Sequence, residues 1–279
     1  MEVVMIEKIK QLVFTLALLA TPVALCMEWP APIYLDEQED TPWTTPLHDA
    51  VRAGNIELVN HHLTPLPLAP DWVAQPDVDT RDGHDQTPLH VAANEGHDGI
   101  MQLLLYHGAT IDARDMFRAT PLHVAALRGH HDVAHRLIGT GAAVNAQDWQ
   151  DYTPLHNAAR QGAGCLHTLT LLLQHGANTE ARDMHEMTPL GHAWHPDQVA
   201  LLTARGADTE DRDKHGFTAL HAAVRWKMPE VVRALLEAGA SMEDDTAWHE
   251  VTPRRYTRPI RQKRSTRTNN PPKRQRTRR

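Results

Sequence analysis

A recurring tetrapeptide, Thr-Pro-Leu-His, restricts the fold of this chain more than any other feature of its sequence. Four copies start at Thr45, Thr87, Thr120 and Thr153, and two variants start at Thr188 and Thr218. From one threonine to the next, the spacings are 42, 33, 33, 35 and 30 residues. A period of this length is typical of a chain built from stacked copies of one small unit, each of which buries its apolar face against its neighbours.

Each unit carries the signals for two helices. Proline suits the first helical position because its φ angle is already helical and it has no N–H to leave unbonded, and the threonine before it can cap the helix. Leu122, Ala125 and Ala126 place one large and two small side chains on one helix face, which permits close stacking. A turn glycine is expected to end this helix, and a second apolar run follows up to a Gly-Ala pair. About ten polar residues then remain, which suit a turn or hairpin. The turn glycines are Gly54, Gly96, Gly129 and Gly162.

This pattern resembles the ankyrin repeat, with its Thr-Pro-Leu-His-x-Ala-Ala opening, Leu-Leu-Leu-x-x-Gly-Ala second helix and Asn/Asp-x-x-Asp turn. The resemblance covers about residues 45–251. It implies an all-α repeat fold, an ankyrin α-solenoid of about six repeats that start near residues 45, 87, 120, 153, 188 and 218. It also implies a partner protein, bound on a concave surface made of turn tips and first helices.

Four repeats depart from the regular pattern. Repeat 1 has nine extra residues in a proline-rich stretch before Asp82, and repeat 4 is two residues longer around Cys165. Repeat 5 is three residues shorter and has His195 and Pro196 in place of the usual turn, and Trp226 replaces the turn glycine in repeat 6. We therefore expect repeat 5 to be the weakest joint of the stack.

Residues 1–26 are typical of a secretory signal peptide. Lys8 and Lys10 precede an uncharged run over residues 11–27, and small residues stand three and one before Met27, where cleavage would leave the mature chain. Two alternatives are an uncleaved membrane anchor, because the run just reaches the lower limit for a spanning helix, and a lipid-modified Cys26. Residues 27–44 are rich in proline and are expected to form a leader to the first repeat.

Residues 252–279 form a basic tail that we expect to be disordered, because it has Pro-Pro and Asn-Asn pairs and no apolar periodicity. The tail holds twelve of the 28 basic residues and no Asp or Glu, which leaves 16 basic against 35 acidic residues in the rest of the chain. Such a tail can bind a polyanion, either nucleic acid or an anionic cell surface, by counterion release. The candidate polyanion-binding residues are Arg254, Arg255, Lys263, Arg264, Lys273, Arg274 and Arg276.

Three other interpretations of the tail stay open. Its two clusters of lysine and arginine resemble a two-part nuclear import signal. The tail can equally lie on the acidic body of the chain, or be solvated without any dedicated ligand.

Twenty histidines suggest a metal site, but the repeat accounts for most of them. The resemblance implies that the tetrapeptide histidines are structural hydrogen-bonding groups: His48, His90, His123, His156 and His221. His131 and His135 have metal-like spacing, one helical turn apart, but zinc needs three or four ligands and the sequence places no third. We therefore expect an exposed polar helix face at these two residues, with no metal and no cofactor.

Catalytic motifs are absent from the sequence. It contains no Gly-x-Ser-x-Gly, no His-Glu-x-x-His and no glycine-rich phosphate loop. The two cysteines, Cys26 and Cys165, are too few for a disulfide framework or a four-cysteine zinc module. The sequence thus predicts no catalytic residues and a protein that is not an enzyme.

If the resemblance carries over, partner contacts fall on the turn tips, between each turn aspartate and the next Thr-Pro. The candidate residues are Met116, Phe117, Arg118, Trp149, Gln150, Met184 and His185. Phe117 and Trp149 are the candidate anchors, because only 5% of the residues are aromatic and such anchors dominate protein interfaces. The alternative for residues just before Thr-Pro, such as Tyr152, Met187 and Phe217, is that they pack inward.

The repeats, the amino-terminal segment and the basic tail together suggest two functions from different classes. The first is an exported protein that binds another protein, with a tail for a polyanion, and it resembles the ankyrin proteins that intracellular bacteria deliver into host cells. The second is a nuclear or cytosolic protein associated with nucleic acid, whose amino terminus is not cleaved. A secreted or periplasmic location fits the first function, and a host-cell or nuclear location stays open.

Overall fold

The computed structural model describes residues 44–64 and 77–241. The predictions for the signal peptide, the tail and all of the leader except Thr44 lie outside the described residues. Within these ranges the regular structure is helical, with no strand. No helix there is long and apolar enough to cross a membrane.

Five of the six repeats open with an α-helix: Pro46–Arg52, Pro88–Glu95, Pro121–Arg128, Pro154–Arg160 and Ala219–Arg225. The second helices are Ile56–Leu63, Asp98–Tyr106, His131–Gly139, Leu166–Gln174, Pro196–Ala204 and Pro229–Glu237. Two 3₁₀ helices, Gly162–Cys165 and Pro189–His192, lie in repeats 4 and 5. The first helices of repeats 1 to 4 each pack on their own second helix and on the first helix or 3₁₀ turn of the next repeat. The predicted all-α ankyrin solenoid is confirmed.

The threonine and histidine of the tetrapeptide cap the first helix and join it to the next repeat. In repeat 3, the Thr120 hydroxyl lies 2.8 Å from Nδ1 of His123, and the Thr120 backbone N–H donates to the same nitrogen at 3.1 Å. Nε2 of His123 lies 2.9 Å from the carbonyl oxygen of Tyr152 in repeat 4. Three further histidines reach the next repeat in the same way: His48 to Gln86, His90 to Ala119 and His156 to Met187. These bonds give the histidines the structural role that the resemblance implied.

The tetrapeptide histidines in the middle of the stack, His90, His123 and His156, are neutral at pH 7. Burial lowers the pKa of His90 and His123 to about 4, and that of His156 to about 3. The hydrogen bonds agree with this charge state. Nδ1 accepts a backbone N–H, so the single ring proton sits on Nε2 and is donated to the carbonyl of the next repeat.

Small side chains let the first helices approach closely. Ala92, Ala125 and Ala158 have no solvent-accessible surface, and neither do the large residues Leu122 and Leu155 beside them. The second helices close the core with buried leucines, among them Leu104, Leu137 and Leu172 in repeats 2, 3 and 4. The apolar core therefore runs continuously through the stack, as each repeat covers the face of its neighbour.

The turn glycines end the first helices in two ways. Gly96 and Gly129 follow the last helical residue directly with a left-handed φ of 75°. In repeats 1 and 4 the helix ends one residue earlier than this, so that Gly54 and Gly162 follow a separate cap residue. A methyl group on Gly129 would lie 2.8 Å from Sγ of Cys165, so this glycine also permits the close approach of repeat 4.

Repeat 5 opens with the 3₁₀ helix Pro189–His192 instead of an α-helix. Gly191 displaces the histidine by one position relative to the other repeats, and His192 places Nε2 2.8 Å from Oδ2 of Asp183, a turn aspartate, as a buried pair. The buried Gln198 side chain fills the shortened turn. Its oxygen accepts the backbone N–H groups of Trp194 and His195, and its nitrogen donates to two carbonyl oxygens of repeat 4, Ala158 and Gly162.

Candidate functional site

An aspartate shapes each turn tip, and it is buried at every described tip except the last, where Asp213 is half-buried. Oδ1 of Asp115 accepts the backbone N–H groups of Phe117 and Ala119, both at 2.9 Å, and Arg118 between them adopts a left-handed φ of 57°. The same two bonds recur at the other turn aspartates, Asp82, Asp148, Asp183 and Asp213. The tip conformation is therefore fixed by hydrogen bonds within each turn.

Backbone hydrogen bonds join neighbouring tips into one row. The Trp149 N–H donates to the Phe117 carbonyl oxygen at 3.0 Å, which links repeat 3 to repeat 4. Equivalent bonds run from Met116 to His84, from Met184 to Gln150 and from Lys214 to His185, at 3.1, 2.9 and 3.0 Å. The five tips thus form a continuous ladder from repeat 2 to repeat 6.

An arginine before the turn aspartate braces this row. Nη1 of Arg114 donates to the carbonyl oxygens of Arg118, in its own turn, and of Gln147, in the next turn, at 2.7 and 2.6 Å. Arg81 and Arg182 make the same pair of contacts. The bracing role of these arginines was not predicted from the sequence, although the recurring Arg-Asp pair at the turns was a signal that could have found them.

Four large apolar side chains stand exposed along the ladder. The exposed fractions are 48% for Met116, 36% for Phe117, 53% for Trp149 and 46% for Met184. The Phe117 and Trp149 rings are neighbours, with centroids 6.4 Å apart. We call these four residues the tip patch. The structure thus brings together the two aromatic anchors and the two methionines that the sequence proposed.

The polar candidates lie around the tip patch. Arg118 is exposed at its tip, while Gln150 is half-buried with Nε2 4.0 Å from Sδ of Met184. His185 is half-buried, and burial lowers the pKa of its imidazole. The candidate polyanion-binding residues of the tail, from Arg254 to Arg276, lie outside the described residues.

The residues directly before Thr-Pro turn inward. Tyr152 is buried against His156 and His192, with ring centroids 5.5 and 5.2 Å away, and the Arg160 guanidinium lies over its ring. Met187 and Phe217 are half-buried. Tyr152 therefore belongs to the joint between repeats 4 and 5, and the tip patch stops at the exposed positions before these inward residues.

His131 and His135 are exposed on the second helix of repeat 3, where the sequence predicted a polar face. As the side chains stand, no three His, Cys, Asp or Glu of the described ranges are arranged to hold a metal ion. Cys165 is buried, and burial raises the pKa of its thiol to about 11, so this thiol is an unreactive core group.

Comparisons with known proteins identify the repeats. A family model described as "Ankyrin repeat" matches residues 84–116, and one described as "Ankyrin repeats (3 copies)" matches residues 112–183 and 183–246. The crystal structure of the ankyrin repeat domain of Bcl-3, described as a unique member of the IkappaB protein family, is similar. It is 29% identical with a TM-score of 0.62, over 76% of this chain and 96% of that chain. Among curated proteins, no sequence matches. Because these matches agree with the capped, stacked repeats, the chain belongs to the ankyrin-repeat family and is a protein-interaction module.

Proposed function

We propose that this chain is a non-enzymatic recognition protein that binds a partner protein through the tip patch on the concave surface of the solenoid. The observation that carries the proposal is the exposure of four large apolar side chains in one row, two of them aromatic neighbours. Full burial of a fully exposed side chain of this size gains about 1.5–3 kcal/mol, so these roughly half-exposed side chains gain about 1 kcal/mol each when a partner covers them. Aromatic residues presented together are the usual anchors of such an interface.

The rigidity of the tips supports the same function. The aspartate bonds, the backbone ladder and the arginine braces hold Phe117 and Trp149 on a fixed backbone. A preformed surface loses less conformational entropy on binding than a flexible loop, so more of the contact energy becomes affinity. The other two described tips carry Gly83 and Lys214 at the position of Met116, Trp149 and Met184, so contacts should concentrate on repeats 3, 4 and 5.

The experiment captures partners with the full chain and with a Phe117→Ala, Trp149→Ala double variant. Because both rings are exposed, the double variant should keep the wild-type melting temperature but bind any captured partner at least roughly tenfold more weakly. The matched control is Tyr106→Ala with Trp194→Ala, which removes two exposed aromatic groups away from the tips. Equal binding by wild type and the tip variant, or a loss confined to the control, would refute the tip patch as the interface.

The basic tail is proposed to add a second, electrostatic binding site for a polyanion. Twelve cations without Asp or Glu favour binding that weakens steeply with salt and depends little on nucleic-acid sequence. Deleting residues 254–279 should abolish binding to heparin and nucleic acid and leave the melting temperature of the repeats unchanged. A truncated chain that still binds at moderate salt would instead place the basic surface on the repeats, at Arg118, Arg128, Arg160 and Arg225.

The first 26 residues support export as the cellular setting. An amino terminus at Met27 in the native protein, determined by sequencing, is the outcome expected for a secreted, periplasmic or host-delivered protein. An intact Met1 would favour the alternative, a nuclear or cytosolic ankyrin protein that associates with nucleic acid through its tail.

A further inference from the structure

Three exposed histidines from two repeats lie together on the second helices. His131 and His135 are one turn apart on the helix His131–Gly139, with ring centroids 6.3 Å apart. His167, in the second helix of repeat 4, places its ring 6.1 Å from that of His131. The stacking of repeat 4 on repeat 3 therefore brings a third imidazole to the pair whose spacing alone had suggested a metal ligand.

The ring-centroid separations from His131 to the other two histidines are close to those between imidazoles that bind one metal ion. Zinc binds imidazole nitrogen at about 2.0–2.1 Å in tetrahedral geometry, which puts the centroids of two ligand rings about 5 Å apart. The two separations from the His131 ring exceed this value by about 1 Å. All three side chains are exposed, so their torsion angles are free to change and bring the rings closer.

We propose that His131, His135 and His167 bind one transition-metal ion of the zinc class, with water in the remaining position. Imidazole ligands suit zinc, copper and nickel, whereas magnesium and calcium prefer oxygen. The positive charge of Arg136 does not repel a metal ion at this site, because its guanidinium is paired with the Asp98 carboxylate at 2.5 Å. Asp98 also interacts electrostatically with His135. An ion at this site would link repeats 3 and 4, and since it requires both folded repeats, it stabilises the stack.

The test uses the full chain with zinc chloride in titration calorimetry and thermal melting. Wild type should bind one more equivalent of Zn²⁺ than a His131→Ala, His135→Ala variant, and only wild type should melt at a higher temperature with zinc. His167→Ala should weaken this binding at least roughly tenfold and remove the zinc-dependent rise in melting temperature. All three substitutions are at exposed positions, so circular dichroism without metal should match that of wild type.

His175→Ala is the matched control, because His175 is exposed and caps the same helix as His167. It should bind zinc as wild type does, and Mg²⁺ should neither bind at the site nor raise the melting temperature of any form. If His167→Ala keeps the wild-type affinity, or if every variant shows the same rise with zinc, the three-histidine site is wrong.

Discussion

Acid should unfold the repeats through their buried histidines, and His123 allows this to be measured at one residue. Its pKa falls from the ordinary value of 6.5 to about 4 on folding, because burial disfavours the charged ring. The unfolded chain therefore binds the proton more tightly than the folded chain, so the stabilisation is complete above pH 6.5 and is lost as the pH falls toward 4. At about 1.4 kcal/mol per pKa unit, lowering the pH from about 7.5 to about 5 costs about 2 kcal/mol at this residue.

The measurement is urea unfolding at both pH values for wild type and for His123→Gln. The variant should be less stable than wild type at about pH 7.5, by about 1–3 kcal/mol, because hydrogen bonds of the imidazole are lost. Its further loss of stability on acidification should be smaller than that of wild type by about 2 kcal/mol.

The difference in acid loss between wild type and variant is needed because the protonation of another buried group raises stability as the pH falls. Burial raises the pKa of Asp148 from 3.8 to about 6, so its protonation favours the folded state as the pH falls through this range. This contribution is common to wild type and variant and cancels in the difference. Val124→Ala, a buried change on the same helix, should lower stability equally at both pH values. Equal acid losses in wild type and His123→Gln would refute the linkage.

Three further changes test the packing of the stack by urea unfolding or thermal melting. Gln198→Leu should cost about 2–5 kcal/mol, because two N–H groups and two carbonyl oxygens lose their partner; a cost below about 1 kcal/mol would show that water replaces the amide. Gly129→Ala should cost at least about 1 kcal/mol more than Gly162→Ala, since the two glycines have similar positive φ angles but only the first meets a neighbour, Cys165. Equal costs would mean that repeat 4 moves aside freely. Ala125→Leu should cost about 1–3 kcal/mol by overpacking, and an unchanged melting temperature would show that Ala125 does not lie at a stacked contact.

The sequence by itself determined the repeat and the start of each first helix. Thr120, Pro121 and His123 form a cap whose bonds span only three residues, so the local pattern specifies it without knowledge of the rest of the chain. The period then determined the stacking, because small residues such as Ala125 recur on one helix face, and this face is buried only when it packs against the neighbouring repeat. The positions of Phe117 and Trp149 at turn tips followed from the same period.

Only the tertiary structure decided what happens between repeats. The pairing of His192 with Asp183, the four bonds of Gln198 and the approach of His167 to His131 depend on how far one helix is rotated and shifted against the next. Repeat 5 shows why sequence spacing is insufficient, since it opens with a 3₁₀ turn instead of an α-helix, and its shifted histidine, His192, has a new partner in Asp183. Such contacts join side chains that come together only when neighbouring repeats pack. The direction of each side chain at this interface depends on both helices, so it cannot be derived from one repeat alone.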